Sequence, residues 1–306
     1  MAKQMTLKAP FTLEGKGLHT GLNVVLTVKP AAENTGRVVR RVDLENDNEI
    51  AALAENVTAT ERGTVLAKGE VKVSTIEHCM AALYAAGVDN CEIEVNAPEF
   101  PILDGSAKPF IEAINSVGVE EQSAEREYYE VTSKKVFTSE DGKSLITILP
   151  DTEFSVQAMV NYDSCVLGNQ YAILDSMNEF EAEVAGCRTF VFVREIAQLV
   201  EAGLIKGGDL TNALVIYDTP ADQSQLDKIA ELLGQTAPQV SELGYLNGPL
   251  QFDNEAARHK LLDVIGDLAL IGRPMKGRVI AVCPGHGVNT AFAKQIRKEI
   301  RKQEVF

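Results

Sequence analysis

His259 and Asp263 stand four residues apart in Arg258-His259-Lys260-Leu261-Leu262-Asp263-Val264-Ile265-Gly266-Asp267. In a helix, positions i and i+4 stack on one face. Asp267 continues that face one turn further, with a drift of about 40° per step. An imidazole and a carboxylate one turn apart suit two ligand positions of a tetrahedral zinc ion. The same spacing also suits a solvated ion pair on a helix surface. Leu261, Leu262, Val264, Ile265 and Leu268 cover most other sides, which makes the helix largely buried. The spacing alone leaves both readings open.

A third ligand must come from elsewhere, and Ser74-Thr75-Ile76-Glu77-His78 offers one. This stretch matches a capping box, with Ser74 at the N-cap and Glu77 three residues into the helix. It can equally supply His78 as a ligand with Glu77 beside it. Zinc lowers the pKa of its water towards 7, and a neighbouring carboxylate can then take the remaining proton. The two readings are compatible.

Histidine is scarce: the four are His19, His78, His259 and His286. Pro284-Gly285-His286-Gly287 puts a histidine in a flexible turn where its ring can project into a cleft. An exposed turn histidine is the plain alternative. Next to an acidic helix face, the ring would be held protonated. Gly15-Lys16-Gly17-Leu18-His19-Thr20-Gly21 lacks the spacing of a phosphate-binding fingerprint and fits a hairpin turn. In Cys187-Arg188-Thr189-Phe190, Thr189 reads equally well as a strand residue.

STIEH at 74–78, PILDGSA at 101–107, CRTF at 187–190, RHKLLDVIGD at 258–267, GHG at 285–287 and GKGLHTG at 15–21 together resemble the UDP-3-O-acyl-N-acetylglucosamine deacetylase family, zinc amidases of early lipid A synthesis. The resemblance spans the whole chain. It implies an α+β fold of two similar domains, each a β-sheet with a helical layer, the helices sandwiched between the sheets. Residues 1–122 would form the domain carrying Glu77-His78. Residues 128–306 would form the domain carrying the zinc helix and an acyl-passage insert.

The resemblance also implies roles. The zinc ligands would be His78, His259 and Asp263, and the base would be Glu77. His286 would be the cation, oriented by Asp267, and Thr189 would assist the oxyanion. Lys260, Phe190, His19 and Tyr162 would contact substrate, with the segment from Phe190 to about Leu204 lining the acyl passage. The reaction implied is hydrolysis of the acetamide of UDP-3-O-(3-hydroxyacyl)-N-acetylglucosamine, releasing acetate.

The chain departs from better-known relatives in places. Asn161-Tyr162 stands where an Asp-Phe pair contacts uracil in those relatives. Asp218 to Gly248 is longer than expected and looks like an insertion. Some relatives are fused to a C-terminal 3-hydroxyacyl dehydratase domain, which lies outside this chain ending at Phe306. Two other readings are a non-catalytic nucleotide-sugar binder and a zinc amidase for another acylated sugar. The first would be marked by loss of Glu77, His286 or a ligand, and all are present.

These residues need elements to position them. Val24, Leu26 and Val28 alternate with Val25, Thr27 and Lys29 as a strand. Helices are expected from Ser74 to about Ala86, over 108–117, over 255–271 and over Asn289–Lys302, with a helix or loop over Ala221–Leu233. Residues 118–127 are polar and acidic and read as a linker. Strands grouped ahead of helices in each half argue for α+β. On the last helix, Phe292, Ile296 and Ile300 form a docking stripe. Its basic face, Lys294 to Lys302, is either solvated or touches an anionic inner-membrane surface.

The 306 residues carry 29 Lys+Arg against 44 Asp+Glu, a formal charge of −15. Such a surface repels nucleic-acid phosphates, so nucleic acid is not expected as a partner. The five cysteines show no CxxC pair, and the N-terminus has no apolar signal region. A cytoplasmic protein without a membrane span is expected.

Overall fold

A computed structural model describes residues 2–46, 48–232, 236 and 242–304. The first half contains β1 (Lys3–Leu7), β2 (Phe11–Lys16), β3 (Asn23–Pro30), β4 (Arg37–Arg41), β5 (Glu49–Ala51), β6 (Val57–Ala59), β7 (Val65–Lys68) and β8 (Val71–Val73). It closes with α1 (Glu77–Ala85), β9 (Cys91–Val95), α2 (Lys108–Val117) and β10 (Val119–Glu125). The second half contains β11 (Tyr129–Glu130), β12 (Lys135–Thr138), β13 (Leu145–Leu149), β14 (Phe154–Asn161), β15 (Asn169–Leu174), β16 (Phe190–Phe192), α3 (Val193–Glu201) and β17 (Leu214–Tyr217). After these come α4 (Gln223–Leu232), β18 (Gly244–Tyr245), α5 (Glu255–Leu268), β19 (Met275–Val282) and α6 (His286–Glu304).

The two main sheets have the same topology. Their orders are β2-β3-β9-β4-β5 and β12-β13-β19-β14-β15. In each, the last strand of the main sheet in chain order inserts between its second and third strands. It runs parallel to the third (β9 with β4, β19 with β14) and antiparallel to the second. In each, one helix precedes that strand and one follows it. The resulting fold is α+β with two similar units, a repeat of element order that direct comparison of the two half-sequences does not reveal.

Each half also carries an insert in the same slot, between its fourth main strand and its first helix. The first insert is the small sheet β6-β7-β8, and the second is β16-β17-β18 with α3 and α4. Both inserts reach the site described below.

Alternation builds the sheets. On β3, Val24, Leu26 and Val28 point into the core and are essentially inaccessible, while Val25, Thr27 and Lys29 face outward. One continuous apolar core runs from Leu26 and Ile93 of the first sheet to Val279 and Ala281 of the second. Between them lie Met80 and Leu83 of α1 and Leu261, Leu262 and Ile265 of α5. The helices are therefore the filling between two sheets, as the resemblance implied.

The local structure differs from expectation in several places. Residues 118–127 are not an irregular linker: most form β10, antiparallel to β1. α1 has no side-chain cap, so the capping box does not form. Instead the Ser74 hydroxyl donates to the Pro98 carbonyl at 3.3 Å. His286 is not in a turn but opens α6, which starts three residues earlier than expected. Expected residue Leu233, and residues 233–235 and 237–241 of the Asp218–Gly248 segment, lie outside the described residues.

The last helix docks through Phe292, Ile296 and Ile300, all fully buried. Part of its basic face is engaged by the protein itself. Lys294 donates to the Val57 carbonyl, and Arg297 and Arg301 pair with Glu55. Among the described residues no helix is long and apolar enough to cross a membrane.

Candidate metal centre and active site

α1 and α5 are the equivalent helices of the two halves, and they pack against each other. Gly266 makes this possible: a Cβ there would stand 2.1 Å from the Glu77 carbonyl oxygen. The close approach brings His78 of α1 opposite His259 and Asp263 of α5. The two imidazole rings meet edge to face, with centroids 5.1 Å apart.

One ligand atom from each of His78, His259 and Asp263 lies within 4.8 Å of the others, and all three residues are buried. His259 Nε2 is 3.5 Å and His78 Nε2 4.0 Å from Asp263 Oδ1. That oxygen is buried and has no hydrogen-bond partner. An orphaned buried carboxylate oxygen facing two imidazole nitrogens is costly unless something positive completes it. The His259 Nδ1–H donates to the Cys187 carbonyl at 3.0 Å. A carbonyl only accepts, so this bond leaves the Nε2 lone pair turned to the site, as in known metal sites. The other Asp263 oxygen, Oδ2, accepts from Lys260 Nζ at 2.8 Å.

The protonation states suit this role. Burial pushes His78 down to about 3 and also lowers His259, so both rings are neutral donors. Burial works against charge on Asp263, but Lys260 foremost, with the cationic His286, outweighs it and holds the carboxyl well below its usual range. Two neutral imidazoles and one carboxylate form a donor set that fits a divalent cation.

Glu77 and His286 flank this cluster. His286 Nε2 is 3.8 Å from Glu77 Oε1 and 3.9 Å from Asp263 Oδ2. Burial pushes the Glu77 carboxyl up to about 7, against the opposing pull of His286. For His286, burial works against the cation, but Asp267, Asp263 and Glu77 outweigh it and push the ring up to about 10. Two adjacent titratable groups whose environments set different pKa values are able to act as a base and an acid. Asp267, fully buried, accepts from His286 Nδ1 at 2.9 Å.

The second insert supplies the opposite wall. Thr189 precedes β16, and its amide donates to the Gly105 carbonyl at 2.8 Å. The PILDGSA turn thus holds the CRTF strand. Gly105 has φ of +84° and lies where a Cβ would be 2.1 Å from the Asn212 carbonyl, so only glycine serves there. Thr189, Phe190, Lys260 and His286 line one cavity with the three candidate ligands. Leu18, Arg62, Thr189 and Phe190 also line a second, strongly apolar cavity.

The second cavity overlaps the segment Phe190–Leu204 and reaches further. Val193, Ile196 and Leu199 come from the expected segment, while Leu210, Leu226 and Ile229 lie beyond it. α4, within the segment read as an insertion, is therefore part of its wall. His19 lines this cavity, with Nε2 3.3 Å from the Arg62 carbonyl and Nδ1 buried without a partner. Tyr162 stands behind the site: its ring packs edge-on against Phe190, at 5.5 Å between centroids, and is not among the residues lining either cavity.

Sequence reasoning missed three supports. Glu99, fully buried, accepts from the His19 and Thr20 amides and from the Thr75 hydroxyl. It ties the GKGLHTG loop to the start of α1. Thr64 and Asn289 both bond Asp267. None of these lies at a spacing that marks it, because each acts on residues distant in the chain.

The family model for LpxC, UDP-3-O-acyl N-acetylglycosamine deacetylase, matches residues 4–233 and 234–298. This chain belongs to that family. Curated relatives agree. The bifunctional enzyme LpxC/FabZ of Porphyromonas gingivalis is 56% identical over 99% of this chain and 66% of its own length. The protein of the same name from Bacteroides thetaiotaomicron is 56% identical over 100% of this chain and 66% of its own. The UDP-3-O-acyl-N-acetylglucosamine deacetylase of Teredinibacter turnerae is 39% identical over 99% of this chain and 92% of its own. The chain thus spans just under two thirds of the bifunctional relatives and nearly all of the single-function one.

Proposed function

We propose that the chain is a zinc-dependent amidohydrolase that removes the acetyl group of UDP-3-O-(3-hydroxyacyl)-N-acetylglucosamine, the committed step of lipid A synthesis. One observation carries this reading. An unpartnered Asp263 oxygen faces two neutral imidazoles, with an acid–base pair beside it, at the mouth of an apolar passage. His78, His259 and Asp263 would hold the zinc ion. When bound, zinc supplies Lewis acidity that polarises the acetamide carbonyl and makes water acidic near neutrality.

The protein's own groups do the rest. Glu77, as carboxylate, takes the proton of the attacking water. The Thr189 hydroxyl donates to the oxyanion that develops on the former carbonyl oxygen. His286, held by Asp267 through Nδ1, presents a protonated Nε2 and gives that proton to the departing sugar nitrogen. The products are acetate and the free amine. Lys260, anchored on Asp263 and lying over the Phe190 ring at 5.4 Å, brings a cation to the site's rim for the diphosphate or sugar. The acyl chain enters the passage beyond Phe190, and His19 contacts substrate at its entrance. Tyr162 acts through Phe190.

The free cysteines, Cys79, Cys91, Cys165, Cys187 and Cys283, support a reducing, cytoplasmic location. A dehydratase unit, as in the bifunctional relatives, is the partner we propose for this deacetylase portion, and the solvated cations of α6 allow peripheral contact with the inner membrane.

The test is mass-spectrometric detection of deacetylated product from zinc-loaded protein, using the 3-O-acylated nucleotide sugar and unacylated UDP-N-acetylglucosamine in parallel. Rapid loss of acetyl from the acylated compound and little from the other is expected. No loss from the acylated compound would defeat the proposal, and equal rates on both would defeat the role given to the passage.

A further inference from the structure

Thr64 lies at the end of the turn joining β6 to β7, outside every motif that marks the site. It is fully buried, and both of its donor groups are committed to Asp267 and Glu77. Its hydroxyl donates to Asp267 Oδ1 at 2.5 Å. Its amide donates to Glu77 Oε2 at 3.1 Å. One residue of the first insert thus touches the carboxylate beside the metal cluster and the carboxylate that orients His286.

The Asp267 carboxylate can pivot about its own side chain unless both oxygens are held. Oδ2 accepts from His286 Nδ1 and from Asn289 Nδ2, each at 2.9 Å. Both donors come from α6. Oδ1 faces the other way and accepts from the Thr64 hydroxyl. Removing that donor frees the carboxylate to rotate towards α6 and carries His286 with it. The His286 Nε2 position relative to Glu77 Oε1, 3.8 Å away, would then be lost. The amide bond from the same residue fixes Glu77 in that same frame.

We propose that Thr64 is a positioning residue for the Asp267–His286 pair and holds it in register with Glu77. This rests on the deacetylase reading above, since it assigns His286 and Glu77 to the acid–base steps. Partners that orient metal-ligating residues change activity by about 10–100-fold when removed, and we take the same range for Thr64, which orients the groups flanking the candidate ligands.

Thr64→Val keeps the shape and the amide but deletes the hydroxyl. The account predicts a full complement of bound zinc, KM for the acylated nucleotide sugar within about twofold, and kcat lower by about 10–100-fold. Thr64→Ser keeps the donor and should restore kcat to within a few-fold of wild type. Because Thr64 acts through Asp267, Thr64→Val should cost nothing further in an Asp267→Asn background. Thr64→Cys, a smaller side chain and a weaker donor, makes the same comparison with Thr64→Ser where valine does not fold. Overturning results are a Thr64→Val or Thr64→Cys enzyme with wild-type kcat, a Thr64→Ser enzyme as slow as either, or full multiplication of the losses with Asp267→Asn. A wild-type protein with no activity on the acylated substrate would instead sink the deacetylase reading itself, and the two failures are distinct.

Discussion

Gly266 of α5 lies against the backbone carbonyl of Glu77 in α1, and a Cβ at that position would come within 2.1 Å of the oxygen. Both helices carry candidate ligand residues, so this contact sets the distance across the candidate metal site. Gly266→Ala forces the helices apart and costs about 2 kcal/mol or more as an overpacking change. The chemical melt should shift accordingly, and zinc affinity should fall with it. Unchanged stability together with unchanged zinc affinity would mean that the helix contact does not set the site.

Glu77 is assigned the proton transfer but not the metal. Glu77→Ala should therefore retain zinc while turnover drops on the order of 10²–10⁴-fold. Metal analysis and acetate release on the same preparation check this. Near-normal turnover would remove Glu77 from the mechanism, and loss of zinc would make it a ligand.

His286 and Glu77 should give a bell-shaped dependence of kcat/KM on pH. Glu77 works as the carboxylate, so the rate rises as pH climbs through its pKa, pushed by burial to about 7. His286 works as the cation, so the rate falls as pH climbs through its pKa, raised to about 10 because its carboxylate neighbours outweigh burial. A bound dication lowers both limbs and keeps their order. In His286→Gln the alkaline limb should disappear while the acid limb stays. An alkaline limb that persists in that variant would contradict the assignment.

Much of this candidate site was legible because its candidate ligands follow local rules. His259 and Asp263 share a helix face by their spacing alone, and Glu77-His78 is a dipeptide. What was not legible depends on pairings distant in the chain. Residues 118–127 look like a linker because one exposed edge strand needs few apolar residues, and only β1 shows that they are a strand. Ser74 and Glu77 fit a capping box on spacing. In the fold, the Glu77 carboxylate turns inward to the Thr64 amide, and the cap is not formed. The repeat of the two halves lives in element order and not in residue identity, so comparing the half-sequences residue by residue does not find it, and the matching strand order of the two sheets displays it. Thr64 and Glu99 carry no local signature at all.

The docking of α6 should depend on pH through Glu55. Burial raises its carboxyl, but the hydrogen bonds and charge of Arg297 outweigh it and hold the folded pKa below the ordinary glutamate value. A depressed carboxylate contributes stability above its unfolded pKa and loses it as pH falls through the folded one. Glu55→Gln should therefore destabilise at pH 7, by at most about 1 kcal/mol for a partly exposed pair. Urea melts of both proteins should converge as pH drops below about 4. A difference independent of pH would point to packing and not to charge.

The most direct test of the central claim is a zinc titration of metal-stripped protein, with acetate release from the 3-O-acylated nucleotide sugar as the signal. The site formed by His78, His259 and Asp263 predicts no turnover without metal, recovery that saturates at one zinc per chain, and no recovery in Asp263→Ala. Full turnover by the stripped protein, or recovery in Asp263→Ala equal to that of wild type, would contradict it.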